Sequence, residues 1–183
     1  TNTASLANRH GDYFWKAVGV DISASLFATT NLKVTAYMAV GSNSLTRSDT
    51  KSAILPKTPE AFSYDLDGNL VCDGLWTNTW NGENRLIVSE SLSAVPDAMK
   101  KRVEFRYDYM GRRTLKKVLS GYSGGTYSAT NLITYIWDGW NVLAEICNRQ
   151  SGSSTNLYTW GLDLSGSLQG AGGVGGLLFA TVN

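Results

Sequence analysis

The feature that most constrains this chain is a short unit that recurs five times: an aromatic residue, usually followed by Asp or Asn, then a Gly, a polar residue and an aliphatic one. Four copies read Tyr64-Asp65-Leu66-Asp67-Gly68-Asn69-Leu70, Trp80-Asn81-Gly82-Glu83-Asn84-Arg85-Leu86, Tyr107-Asp108-Tyr109-Met110-Gly111-Arg112-Arg113 and Trp137-Asp138-Gly139-Trp140-Asn141-Val142-Leu143. A fifth, Trp160-Gly161-Leu162-Asp163-Leu164-Ser165-Gly166-Ser167-Leu168, is looser. Recurrence of one unit predicts a fold made by laying one supersecondary piece beside the next.

Each copy reads as the tip of a β-hairpin. The aromatic ends a strand, and Asp or Asn opens the turn by bonding nearby backbone. Gly takes a positive-φ position, and the aliphatic residue starts the return strand. On this reading Gly68, Gly82, Gly111 and Gly139 are equivalent turn glycines. The flanks alternate with period two: Val103, Phe105 and Tyr107 against Glu104 and Arg106. Around Leu132 to Trp137 both phases are largely apolar, which predicts a strand covered on both faces. Glu90 to Lys100, the Gly/Ser-rich Ser120 to Thr130 and Gln150 to Asn156 read as connections, the second as a long loop. The expected class is all-β, an array of antiparallel hairpins over residues 56–168, followed by a Gly-rich end segment over 169–183. Residues 1–55 lack the unit. Tyr13 to Val20 and Leu32 to Val40 predict two strands of a separate β-rich module or insertion.

Composition agrees. Aromatics make up 11% of the 183 residues, with six Trp and nine Tyr, and there are nineteen Gly but only three Pro. That suits strands joined by tight turns. A net charge of +1 argues against nucleic acid or an anionic membrane as partner. The short basic runs Lys100-Lys101-Arg102 and Lys116-Lys117 read as solvated strand or turn positions. No apolar run approaches the ~20 residues of a membrane-spanning helix. Cys72 and Cys147 are too few and too far apart for a disulfide framework.

Catalytic chemistry finds little to work with. The single histidine, His10, lies in a polar segment, which leaves no Ser/His/Asp, Cys/His or histidine-based zinc constellation. Asp65, Asp67, Asp108, Asp138 and Asp163 recur beside aromatics, but turn bonding accounts for them without an acid–base pair. Gly170 to Gly175 matches GxGxxG in form only, with no strand–helix context for a dinucleotide. The expectation is therefore no enzyme, no metal and no cofactor. Trp76, Trp80, Trp137, Trp140 and Trp160 could offer stacking faces to glycans, and Trp15 outside the array could do the same. A carbohydrate-binding or cell-adhesion β-module is thus the alternative function; repeat-phase aromatics more often pack adjacent hairpins.

The segments YDLDGNL, TWNGENRL, RYDYMGRR, YIWDGWNVLAEI and YTWGLDLSGSLQGAGGVGGLL together resemble the YD/RHS repeat family over about residues 60–179, the last part resembling its core-associated region. The resemblance implies strands that spiral into a hollow β-shell enclosing a C-terminal, toxic cargo domain. It also implies a secreted or cell-surface bacterial parent protein, delivery or intercellular competition as the function, and adjacent repeats of the same polypeptide as partners. Teneurin ectodomains are similar in architecture and serve adhesion. The repeat positions it marks are Tyr64, Asp65, Gly68, Trp80, Gly82, Tyr107, Asp108, Gly111, Trp137, Asp138, Gly139 and Trp160. Members with a cleaved cargo carry an Asp-Pro-Gly type motif after the core, and this sequence contains none.

Overall fold

A computed structural model describes residues 6–23, 27–41 and 43–182. The chain is nearly all-β, with antiparallel sheets and no α-helix among the described residues. It divides into two units, Thr1–Glu60 and Ala61–Asn183.

The first unit holds two separate hairpins. Strand β1 (Asn8–His10) pairs with β2 (Tyr13–Trp15), and β3 (Phe27–Val40) pairs with β4 (Asn43–Pro56) over fourteen residues. The two expected strands therefore do not pair with each other. Each takes its nearest neighbour in sequence, the pairing with the least loop to close. Lys16 to Val20 lies outside any strand.

The second unit is one ten-stranded meander. Its strands are β5 (Ser63–Tyr64), β6 (Leu70–Cys72), β7 (Trp76–Trp80), β8 (Leu86–Ser91), β9 (Arg102–Tyr107), β10 (Arg113–Ser123), β11 (Thr126–Asp138), β12 (Asn141–Arg149), β13 (Gly152–Trp160) and β14 (Leu177–Thr181). Each strand pairs only with its sequence neighbours. A single 3-10 turn, Asp97–Met99, sits in the β8–β9 connection. Because the meander never crosses over, alternate connections fall at the same end of the sheet. All five repeat units lie along one rim; the connections near 73–75, 92–101, 124–125 and 150–151 lie along the other.

The sheet is a single layer. Among the described residues Val95, Ala144 and Cys147 are the buried hydrophobic ones, and no large side chain is fully buried. The expectation that Leu132 to Trp137 is covered on both faces is not met within the second unit. Those residues are half-buried by their strand neighbours, and Ile136 stays exposed. Ser120 to Thr130 is not a long loop either. Strands β10 and β11 continue through it to a two-residue turn at Gly124 and Gly125, with Ser123 opposite Thr126. Tyr122 and Tyr127 meet edge-to-face at 4.9 Å just before the turn, which rewards the extension. The Gln150 to Asn156 region likewise narrows to a turn at 150–151, with Arg149 opposite Gly152.

Candidate functional site

The repeat rim is where named side chains converge, and one geometry recurs there. In the first copy the Asp65 N–H donates to the Asn69 carbonyl (3.0 Å), and the Gly68 N–H to the Asp65 carbonyl (3.2 Å). Asp65 Oδ1 accepts the N–H groups of Asp67 (3.0 Å) and Asn69 (2.8 Å). Asn81 and Asp108 repeat the whole set with Arg85 and Arg112 as the fifth residue. Asp163 repeats the backbone bonds with Gly166 and Ser167, and its carboxylate accepts from the Ser165 N–H at 2.8 Å. These bonds favour the ionised form. The Asp65 carboxyl lies below its usual range, chiefly through the Asn69 side chain. At Asp108 burial pushes the carboxyl up, but bonds from the Arg112 side chain and backbone outweigh it and leave it lowered.

Two sequence assignments change. Gly82 does not supply the positive φ of its turn; Asn84 does, at 55°, in the place held by Gly68, Gly111 and Gly166. Asn is the side chain that best tolerates this region, so glycine was not required there. Asp138 does not open an Asx turn. Asp138 and Asn141 face each other across a two-residue loop, Gly139-Trp140, with positive φ only at Gly139. That pattern matches a II′-type hairpin turn, which leaves the Asp138 carboxylate without a loop to close.

The aromatic residues hold the rim together. In every hairpin of the rim the aromatic faces a residue beside a register shift: Tyr64 opposite Leu70, Trp80 opposite Leu86, Tyr107 opposite Arg113, Trp137 opposite Val142 and Trp160 opposite Leu177. Each aromatic after the first then donates to the facing residue of the hairpin before it. Trp80 Nε1 reaches the Leu70 carbonyl at 2.9 Å, Tyr107 Oη the Leu86 carbonyl at 2.9 Å, Trp137 Nε1 the Arg113 carbonyl at 2.8 Å, and Trp160 Nε1 the Val142 carbonyl at 2.7 Å. Links also run forward. Asn69 Nδ2 donates to Asn84 Oδ1 (2.9 Å), Arg85 Nη1 to the Asp108 carbonyl (2.8 Å), and Arg112 Nη1 to the Gly139 carbonyl. The Arg85 guanidinium also sits 5.6 Å from the Tyr107 ring centre. Sequence reasoning took these aromatics as packing and missed that they are donors. The available signal was that every unit begins with Tyr or Trp and never with Phe, which has no N–H or O–H.

Tyr107→Phe isolates one latch, because it removes only the hydroxyl. Its expected cost is about 1 kcal/mol of unfolding free energy, read from the urea midpoint. Tyr109→Phe is the control: Tyr109 is 89% exposed at the turn tip, and its loss of hydroxyl should leave the midpoint unchanged.

The Gly-rich end segment closes the rim. The Gly161 N–H donates to the Gly176 carbonyl at 2.7 Å, bringing the chain back into β14, so Gly170 to Gly175 forms successive turns and leads into a strand. Gln169 grips the preceding hairpin, its Nε2 donating to the Asp138 carbonyl (2.9 Å) and its Oε1 accepting the Trp140 N–H (3.1 Å). Asp163, buried at 7% exposure, accepts from the Ser165 hydroxyl (2.5 Å) and from the Ala171 N–H (2.6 Å). Its pKa falls to about 2, mainly through the Ser165 hydroxyl, with burial opposing and backbone N–H groups assisting.

The remaining chemistry-bearing residues do not assemble around this rim. Arg102 bonds Glu90 (2.6 Å) and Glu104 (2.8 Å), and Lys117 lies 3.6 Å from Glu104. The Arg102 bond holds the Glu104 carboxyl below its usual range. Of the two basic runs, Lys100, Arg102 and Lys117 enter ion pairs, and Lys100 also lies 4.4 Å from the Tyr122 ring centre. His10 and Trp15 are exposed on the β1–β2 hairpin. Cys72 and Cys147 are free thiols. Among the described residues no group of three or more His, Cys, Asp or Glu is placed to hold a metal ion. In comparisons with known proteins, no family model matches the chain and no curated protein matches it.

Proposed function

We propose that this chain is a non-enzymatic structural segment of a large YD/RHS-type repeat protein, secreted or displayed at a bacterial surface. Its sheet forms part of a β-shell around a C-terminal, toxic cargo domain. The observation that carries this reading is the stitched meander itself. Five aromatic-led hairpin connections lie on one rim, each after the first latched to the one before, in a layer one strand thick with both faces half-exposed. A layer with almost no core of its own suits a wall, stabilised by lateral pairing and by what lies along it. The carboxylates of Asp65, Asp108 and Asp163 are spent on turns, and those of Glu90 and Glu104 on Arg102, which supports a non-catalytic role.

The test is limited proteolysis of the parent polypeptide with its downstream domain attached. The downstream domain should resist protease while the shell is folded and become cleavable once the shell is unfolded in urea. Digestion of that domain at the same rate with the shell intact would overturn the proposal.

A further inference from the structure

Of the side chains that open turns on the repeat rim by bonding the backbone ahead of them, Asn81 alone is an amide. Asp65, Asp108 and Asp163 use both carboxylate oxygens. Oδ1 takes N–H groups of the turn. Oδ2 takes a further donor: Asn69 Nδ2 (3.0 Å), Arg112 Nε (2.7 Å) and the Ala171 N–H (2.6 Å) in turn. Asn81 keeps the first half of this arrangement, its Oδ1 accepting the Glu83 and Arg85 N–H groups at 3.0 and 2.9 Å. Its Nδ2 then holds the place of the second oxygen, and it can only donate. Arg85 is set as Arg112 is, with Nη1 on a carbonyl of the next turn, yet its Nε is buried with no hydrogen-bond partner among the described residues. A buried donor left unpaired is costly, and a carboxylate at position 81 would pair it. Gly82 is the second unexplained residue. Its φ is not positive, and the equivalent positions carry Leu66, Tyr109 and Leu164.

We propose that Asn81-Gly82 is a self-modification site: Asn81 deamidates in the folded chain, and the resulting aspartate completes the turn by pairing with Arg85. Water is the only co-reactant. The Gly82 nitrogen attacks the Asn81 amide carbon, and its proton leaves with the Nδ2 group as ammonia, closing a five-membered imide. Water then adds at the Cγ carbonyl and breaks its bond to the Gly82 nitrogen, which recovers a proton. The main chain is restored and position 81 carries a carboxylate. One amide and one water become one acid and one ammonia, with nothing oxidised or reduced. The turn favours each step. Gly82 is exposed, has no side chain to obstruct the attack, and its N–H has no partner among the described residues. Holding Oδ1 against the N–H two residues on folds the amide over the Asn81–Gly82 peptide, as ring closure requires. The two N–H groups on Oδ1 stabilise the negative charge that develops there. They also polarise the Cγ carbonyl of the imide, so water opens that side and yields aspartate over the isomer with a lengthened main chain.

Peptide mass mapping of the full chain, aged in mildly alkaline buffer, tests this. Peptide 58–85 should gain the mass of an amide-to-acid exchange. A protease that cuts before aspartate should then cleave after Trp80, which it cannot do before Asn or isoaspartate. Chain aged in urea should give mainly the resistant isomer. Gly82→Leu, the residue at the equivalent position 66, should slow conversion by more than about tenfold. Asn81→Asp supplies the product directly and should raise the melting midpoint by about 3 °C. The same substitution in an Arg85→Met chain should bring no gain. Asn81 that stays unconverted in the folded chain would overturn the proposal, as would conversion equally fast in Gly82→Leu. An Asn81→Asp chain no more stable than the parent would overturn it too.

Discussion

Gly139→Val is expected to lower the unfolding free energy by about 3 kcal/mol, seen as a drop of roughly 10 °C in the melting midpoint. Two independent costs meet at this position. Gly139 has a φ of 54°, where a β-branched side chain is strained. A Cβ there would also overlap the Gln169 carboxamide. Gln169 could swing away, but it would give up its bonds to the Asp138 carbonyl and the Trp140 N–H. The substitution therefore strains the β11–β12 turn and loosens the end segment gripping it. Gly82→Ala provides the contrast. Its φ is not positive, and nothing lies within 4 Å of the new Cβ. The melting midpoint should move little or rise slightly. Equal losses at both positions would refute the turn geometry described for the rim.

That contrast also marks how far the sequence could be read. The first four units, their order and their hairpin character were legible, because an aromatic, Asp or Asn and Gly between alternating strands carries its own local physics; in the fifth the return strand starts at Leu177 and not at Leu168. Which residue takes the positive φ was less so: in Asn81-Gly82-Glu83-Asn84 two residues can accept it, and backbone bonding chooses Asn84. The latches were hidden for another reason. Trp137 and Arg113 are far apart in the chain, and only the lateral order of strands makes the indole and the carbonyl neighbours. The single-layer character was equally hidden. Apolar residues in both phases of Leu132 to Trp137 imply that both faces want cover, yet the pattern cannot say whether this chain provides it.

Asp163 carries the second large effect, which is local to the end segment. One carboxylate oxygen takes both the N–H and the hydroxyl of Ser165; the other takes the Ala171 N–H. Asp163→Asn cannot reproduce this, because its amide nitrogen would set a donor against one of those donors. The loop from Gly161 to Gly176 is then expected to open at neutral pH while the rest of the sheet persists. Amide exchange at Ala171 and Ser165 should lose its protection, and protease should cut within the Gly-rich stretch. Acid should act on the native chain in the same way. The folded pKa of about 2 lies below the ordinary carboxylate value of 3.8, so stabilisation by the ionised form is complete above that value. It declines as pH falls from about 4 toward 2. Asp65 and Asp108 are also lowered, so acid loosens other turns too. The neutral-pH variant separates the Asp163 contribution from theirs. Retained protection at Ala171 in Asp163→Asn would show that Gln169 and the Gly161–Gly176 bond close the segment without the carboxylate. Lost protection would identify Asp163 as the group that fixes β14 in place.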